Sequence, residues 1–500
     1  MTRTSNDVQI PSELQSKTNL IAGAWVDAKS GERFAVRSPV TGALLAEVPK
    51  CGAADVDDAV AAAKAAWPVW RHTPVFKRAE VVLRVAELIR ERAETIAQVL
   101  TVEQGKPYAA EALPEVMETA LNFQLAAEDV VRMETPIIPM RDPAKRVLTF
   151  REPYGVMAVI TPWNFPTVIP SEYLGPGLAV GNTVVMKPAS TTPLSMILVA
   201  ECIRRALDEA GLPGGIFNLV TGPGATVGDY LVAHRDVALV GFTGETVTGE
   251  AICARAGIKM TLMELGGNGP VIVCADAHLA EAAKAAAFGC FYNAGQVCCA
   301  TERILVDKKV HDEFLGLLLE ESKKYVLGDP MDSATSMGPL NNEPTARKTE
   351  EHLADALAKG AQILLGGTRE SGRPTDLYFP ATVIDGVTRD MLLNREETFG
   401  PVAPVLTFET DEEAVEIANE TGYGLQMAVF TSSLKRCFWY ADRLRTGNVV
   451  FNDSTDYWEA HEPFGGGGGT RSGHGRLGGR YTLEDVTHLK TVAIDVEKTL

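Results

Sequence analysis

Five hundred residues are too many for one ordinary hydrophobic core, so two or three folded units are expected. The composition, 46% hydrophobic and 22% charged, is that of a folded globular chain. A formal charge of −18 argues against a nucleic-acid backbone or an anionic membrane as the main partner, because both need a basic face.

Residues 1–20 carry no sustained apolar period and read as a loose tail; their polar start lacks the apolar stretch of a secretory signal. Residues 21–27 and 32–37 follow as short strands. From 54 to 134 the pattern is helical: Val82, Leu83, Val85, Leu88 and Ile89 recur near helical spacing, and Gly105-Lys106-Pro107 stops a helix. Residues 146–150 alternate like an exposed strand.

Between 155 and 269 short β-branched runs alternate with amphipathic helices. The strands are read at 156–160, 183–186, 216–220, 237–242 and 260–265, with the clearest helix at 193–210, closed by Gly211 and Pro213. Such alternation predicts parallel strands with crossover helices, an open doubly wound α/β sheet whose ligands sit at the strands' carboxyl ends. A second α/β unit spans 270–452, with strands at 271–274, 304–306, 363–365, 402–406 and 449–451 and helices at 310–325, 345–358, 412–419 and 434–444. The glycines at 465–469 read as a mobile loop. From 481 to the end the chain alternates as a terminal strand, able to pair with another segment or another subunit.

No apolar run approaches the ~18–20 residues needed to cross a bilayer. The eight cysteines show no paired spacing and read as free thiols in a reducing cytoplasm. The eight histidines are scattered and no His/Cys/Asp cluster has ligand spacing, so no metal is expected.

Three residues could carry covalent chemistry. Cys298 follows an alanine-rich helix and the turn Asn293-Ala294-Gly295-Gln296, which can present its thiol at a loop; a lone cysteine is more often a small buried hydrophobe, the role expected of Cys299, and it is motif context that favours Cys298 as a nucleophile. Glu264 ends an apolar strand before two glycines. It reads either as an edge glutamate or as a general base whose pKa is raised by desolvation. Asn164, in Pro162-Trp163-Asn164-Phe165-Pro166, stands in a turn stiffened by two prolines, where its amide is either a turn cap or a donor to a developing oxyanion.

Cofactor signals are weaker singly. Phe242-Thr243-Gly244-Glu245 joins a strand to a helix and suits a pyrophosphate at a helix N-terminus. Lys187 could hold ribose hydroxyls or phosphate, and Glu397 with Phe399 offers a carboxylate and an aromatic face on one loop.

Taken in order, these blocks resemble the aldehyde dehydrogenase superfamily, from Ile21-Ala22-Gly23-Ala24-Trp25 to Ser472-Gly473-His474-Gly475-Arg476. The matching motifs are Pro162-Trp163-Asn164-Phe165-Pro166, Lys187-Pro188-Ala189, Phe242-Thr243-Gly244, Glu264-Leu265-Gly266-Gly267, Gly295-Gln296-Val297-Cys298, Glu397-Thr398-Phe399-Gly400-Pro401 and Pro463-Phe464-Gly465-Gly466.

The resemblance implies a cofactor-binding domain at 1–139 and 156–269 and a catalytic domain at 270–455. It also implies an oligomerisation arm and C-terminal segment at 140–155 and 456–500, joining subunits into a homodimer or homotetramer. By role, Cys298 attacks the aldehyde, Asn164 and the Cys298 N–H hold the oxyanion, and Glu264 activates water against the thioester. Glu264 favours this hydrolytic outcome over transfer to coenzyme A, since acylating relatives lack the glutamate. The cofactor, NAD or NADP, is expected against Trp163, Lys187, Ser190, Gly222, Phe242, Thr243, Gly244, Glu245, Leu265, Glu397 and Phe399.

Three positions depart from the common pattern. Glu245 replaces a serine and should turn away from a pyrophosphate. Ser190 stands where NAD-preferring members often carry glutamate, so NADP should be tolerated. The glycine run lengthens the loop before Ser472. Relatives acting on succinate semialdehyde carry arginines for the distal carboxylate; here the matching positions are Glu172 and Tyr292, leaving Arg471 as the one alternative cation. With Tyr173, Tyr457 and Trp458, these residues suggest a wall for an uncharged aliphatic or aromatic aldehyde. A semialdehyde with an anionic tail is the alternative.

Overall fold

The computed structural model describes residues 4–16 and 18–498. Five apolar runs form the parallel centre of an eight-stranded sheet, in the spatial order Met260–Glu264, Val237–Thr243, Val156–Ile160, Thr183–Lys187, Phe217–Leu219. Nearly every residue in them is buried, as expected when helices cover both faces of a parallel sheet. The chain starts at Val156–Ile160, winds outward to Phe217–Leu219, then returns to the other side of its first strand. That reversal opens a crevice at the carboxyl ends of Val156–Ile160 and Val237–Thr243.

Both edges of this sheet are antiparallel. On one, Asn19–Ile21 and Ala24–Val26 make a hairpin turned at Ala22 and Gly23, with φ of 53° and 84°. The single strand expected at 21–27 is therefore broken, because two left-handed residues reverse the chain. On the other edge, Gly473–His474 pairs with Met260–Glu264.

The second sheet orders Gln362–Leu365, Thr382–Asp385, Val402–Phe408, Thr301–Asp307, Gly269–Val273, Gln426–Phe430 and Asn448–Phe451, all parallel but the first. Thr382–Asp385 and Gln426–Phe430 were not among the expected strands, since short apolar runs without alternation look alike in helix and strand. Thr487–Asp495, Lys145–Pro153 and Ile137–Ile138 form a separate antiparallel sheet, whose long pair runs in register from Thr487↔Pro153 to Asp495↔Lys145.

Three expectations are corrected. The described part of the N-terminal tail is not loose: Ser5 N donates to Asp329 at 3.0 Å and Leu14 is fully buried, while residues 1–3 and 17 lie outside the described residues. The glycine run is packed at its first three positions. Gly465, Gly466 and Gly467 are buried, Gly467 N donates to Gly424 O at 2.8 Å, and a Cβ on Gly466 would meet Ser472 at 2.6 Å. Backbone-to-backbone approach, not mobility, explains those glycines. Finally, the terminal strand begins at Thr487, because Gly479–Asp485 is a short helix; residues 499 and 500 lie outside the described set.

Candidate active site

At the sheet reversal a cleft of ≈ 270 Å³ opens between the two α/β units. Trp163 and Asn164 reach it from the turn after Val156–Ile160, Gly244 and Glu245 from the turn after Val237–Thr243, and Glu264 from its strand end. Cys298, Lys348, Glu397 and Phe399 come from the other unit. Residues far apart in the chain thus share one space.

The cysteine loop is held in costly backbone geometry. Asn293, Ala294 and Gly295 all have positive φ, 48°, 55° and 73°, the first two worth roughly 1–3 kcal/mol of strain each. Gly295 has no alternative: a Cβ there would stand 2.2 Å from Gly400 O. The glycines after Glu264 serve the same end, since a Cβ on Gly267 would stand 2.2 Å from Cys298 O and one on Gly266 2.9 Å from the Glu397 carboxylate. The motif glycines are what let the two units close on each other.

Cys298 is half-buried and borders the cleft; Cys299 is buried, its thiol facing Asp456 Oδ1 at 3.6 Å. The Cys298 thiol is held well above its usual range by its contact with the Cys299 thiol, then by burial and the neighbouring Glu264. Burial raises the Glu264 carboxyl to about 7, and its Oε1 has no hydrogen-bond partner. Asn164 Nδ2 donates to Gln296 O at 3.1 Å. An amide nitrogen carries two N–H groups, so one remains for a ligand.

Sequence reasoning missed what holds this loop. Gln104 Nε2 donates to Asn293 Oδ1 at 3.0 Å, Asn293 N to Glu111 at 3.2 Å, Gln296 Nε2 to Asn293 O at 2.8 Å, and Asn341 N to Gln296 Oε1 at 2.8 Å. It missed Lys348 too, which borders the cleft and whose charge opposes the rise of Glu397. A glutamine on a helix, such as Gln104, looks solvated until the fold buries it.

Burial raises Glu397 to about 8, and its Oε1 accepts Gly267 N at 2.9 Å. Buried Glu302 fixes that loop by accepting Thr398 N and Phe399 N, each at 2.8 Å, and Phe399 meets Trp163 edge-to-face at 5.5 Å. Phe242 lies under Gly244, where a Cβ would come within 2.7 Å of its ring; Leu265 packs likewise on Gly249. Glu245 is exposed at the start of the helix Thr246–Ala256, its side chain making no capping bond. Lys187 is buried and lowered to about 8 by desolvation; its ammonium donates to the carbonyls of Pro188 and Gly222, and Ser190 Oγ to Gly222 O at 3.0 Å. A buried ammonium with carbonyls alone for partners suits an added phosphate or diol oxygen.

The aldehyde dehydrogenase family model matches residues 25–492. The chain belongs to the aldehyde dehydrogenase family. It is 38% identical to the 3-sulfolactaldehyde dehydrogenase of Pseudomonas putida, covering 98% of this chain and 99% of that one. It is also 38% identical to the NADP(+) succinate-semialdehyde dehydrogenase of Escherichia coli, covering 97% and 98%. An indole-3-acetaldehyde dehydrogenase of P. syringae, solved with NAD+ and IAA, superposes with a TM-score of 0.93 at 36% identity, covering 99% and 100%. The protein is an NAD(P)-dependent aldehyde dehydrogenase.

In this dehydrogenase Phe165, Tyr292, Trp458 and Cys298 itself pack against a small buried cluster that includes Val297, Cys299 and Phe464, and Tyr292 stacks on Phe165 and Phe288. Tyr173 is not a free wall residue: it is fully buried and its hydroxyl meets Thr243 Oγ1 at 2.8 Å. Glu172 borders a separate small crevice with Asn122, Ala460 and Gly479, its carboxyl pushed well up by burial and then by Glu264. Tyr457 is 39% exposed and directed to Glu459 and Glu462, away from the cleft. Arg471 is likewise elsewhere, against Glu250 and the Tyr423 ring. Among the described residues no helix is long and apolar enough to cross a membrane, and no group of three or more His, Cys, Asp or Glu could hold a metal ion.

Proposed function

We propose that Cys298 is the nucleophile, Glu264 the general base and Asn164, with the Cys298 backbone N–H, the oxyanion site of an aldehyde dehydrogenase that releases a free carboxylic acid. The observation that carries this reading is the meeting, in one cleft, of the Cys298 thiol and a desolvated Glu264 carboxyl whose Oε1 has no hydrogen-bond partner. Glu264 can take the thiol proton as sulfur attacks the carbonyl carbon, and the free Asn164 N–H stabilises the charge that develops on oxygen. When bound, the nicotinamide supplies the hydride acceptor. Once Glu264 has released the thiol proton to solvent it is again a carboxylate and removes a proton from the water that attacks the thioester. Collapse of that adduct expels the sulfur, which takes the proton back from Glu264, and frees the acid.

Lys187, Ser190 and Gly222 would take the adenosine ribose, Gly244 with the start of the following helix the pyrophosphate, and Glu397 the second ribose, with Trp163, Phe242, Thr243, Leu265 and Phe399 as the walls and Glu245 turned to solvent. Lys348 joins this set. Ser190 in place of a carboxylate removes that group's repulsion against a 2′-phosphate. Ser190→Glu is expected to lower the NADP-to-NAD ratio of kcat/KM by roughly tenfold or more, about 1.4 kcal/mol per decade. An unchanged ratio would remove Ser190 from cofactor selection.

For substrate we propose an aldehyde without an anionic tail. Phe165, Tyr292 and Trp458 are aromatic, Asp456 beside Cys299 is acidic, and Arg471 is engaged with Glu250. Lys348, a cation that borders the cleft, lies with Glu397 in the proposed cofactor half, where a distal carboxylate would not reach it. Steady-state kcat/KM over a panel of aldehydes, read by reduced-nicotinamide absorbance, is expected to favour uncharged members. Preference for succinate semialdehyde would establish the alternative, and acyl-coenzyme A formation the acylating one.

We further propose the division into cofactor, catalytic and arm units at the boundaries given above, a homodimer or homotetramer, and a cytoplasmic location. Support for assembly comes from the arm, where Ile137, Phe150 and Leu489 are 68%, 47% and 54% exposed.

A further inference from the structure

We infer that the buried Lys106–Glu115 ion pair is a positioning device for the oxyanion site, acting through the backbone of Asn164; the inference rests on the Asn164 role proposed above. Neither side chain borders the cleft. Their exposures are 0% and 1%, and Lys106 Nζ lies 2.7 Å from Glu115 Oε2. Desolvating two charges largely cancels the attraction between them, so such a pair adds little net stability and asks for another reason to exist.

Its remaining bonds point to that reason. Lys106 Nζ also donates to Asn164 O at 2.8 Å and stands 3.7 Å from the centre of the Phe165 ring. The other Glu115 oxygen accepts Thr167 N at 3.0 Å, Thr167 Oγ1 at 3.0 Å and Val168 N at 3.3 Å, the free donors at the start of the helix Val168–Val180. One ion pair therefore grips both ends of the turn that carries Asn164. Asn293 Nδ2 adds a second bond to the same Asn164 carbonyl at 3.1 Å, tying the turn to the cysteine loop. With its carbonyl held on one side, Asn164 extends its amide to Gln296 O beside Cys298. Misplacing such a donor by an ångström is enough to cost a large rate factor.

The test is a double-mutant cycle on the full-length enzyme. Lys106→Met alone would leave Glu115 charged and unpaired, so the charge-neutral Lys106→Met/Glu115→Gln is used. Expected is a loss in kcat of roughly 10–100-fold, with cofactor affinity by fluorescence titration and the alkylation rate of Cys298 by iodoacetamide unchanged. In that background Asn164→Ala should cost less than its roughly 10²–10³ in the intact enzyme, by the same factor that the pair variant has already lost. Equal costs in both backgrounds, or full kcat in the pair variant, would overturn the inference. Lys106→Arg guards against loss of folding: it keeps the charge but not the donor position, and should lower kcat at least about fivefold at unchanged Tm; wild-type kcat in it counts against the inference. Near-full activity of Asn164→Ala in the intact enzyme would instead remove the Asn164 role itself.

Discussion

Cys298→Ala is expected to abolish aldehyde oxidation, a loss on the order of 10⁵–10⁶-fold if deletion of a covalent nucleophile here matches such deletions elsewhere, whereas Cys299→Ala should keep most of it. The two residues are adjacent and chemically identical, so only their surroundings separate them. Cys298 borders the cleft beside Glu264, while Cys299 is buried with its sulfur facing Asp456. Contact with the Cys299 thiol is the largest influence holding the Cys298 thiol protonated. Removing it should therefore ease thiolate formation, and alkylation of Cys298 by iodoacetamide, mapped by peptide mass, should be as fast in Cys299→Ala or faster. A dead Cys299→Ala beside an active Cys298→Ala would sink the assignment.

Glu264→Gln should slow deacylation by roughly 10²–10³-fold and let a thioester accumulate, detectable as an acyl adduct on the intact protein. The pH dependence follows from the same burial. With its carboxyl near 7, Glu264 is mostly protonated at pH 6 and mostly carboxylate at pH 8. Only the carboxylate can accept water's proton, so the wild-type deacylation rate should rise through pH 7 and level off above it. The amide introduced by Glu264→Gln cannot titrate, and this limb should vanish from the variant's profile. Persistence of the limb, or full turnover without acyl-enzyme, would remove Glu264 from the mechanism.

Several elements could be read before folding. The run Val156–Ile160 was delimited by its own β-branched residues, and Leu194–Glu209 by the turn residues around it. The strand ends bearing Glu264 and Lys187 were found because apolar runs stopped at a charge. Other features left no local trace. Asn19–Ile21 and Ala24–Val26 merged into one apparent strand, since a two-residue reversal leaves the apolar pattern almost unbroken. The five glycines at 465–469 looked flexible because composition cannot report what a backbone is packed against. Tyr173 and Tyr457 carried the same aromatic signal as Tyr292, yet one is sealed beneath Thr243 and the other faces outward.

The amino-acid order alone determined the α/β class and the family, and singled out the side chains proposed to react, because each of these depends on residue type and short-range spacing. Only the tertiary structure decided how those side chains are tuned and held. Burial lifts Glu264 to about 7, and a network joining positions as distant as Gln104, Asn293 and Asn341 holds the cysteine turn in left-handed geometry. Desolvation and long-range hydrogen bonds arise from chain segments meeting in space, and no window along the sequence contains both partners.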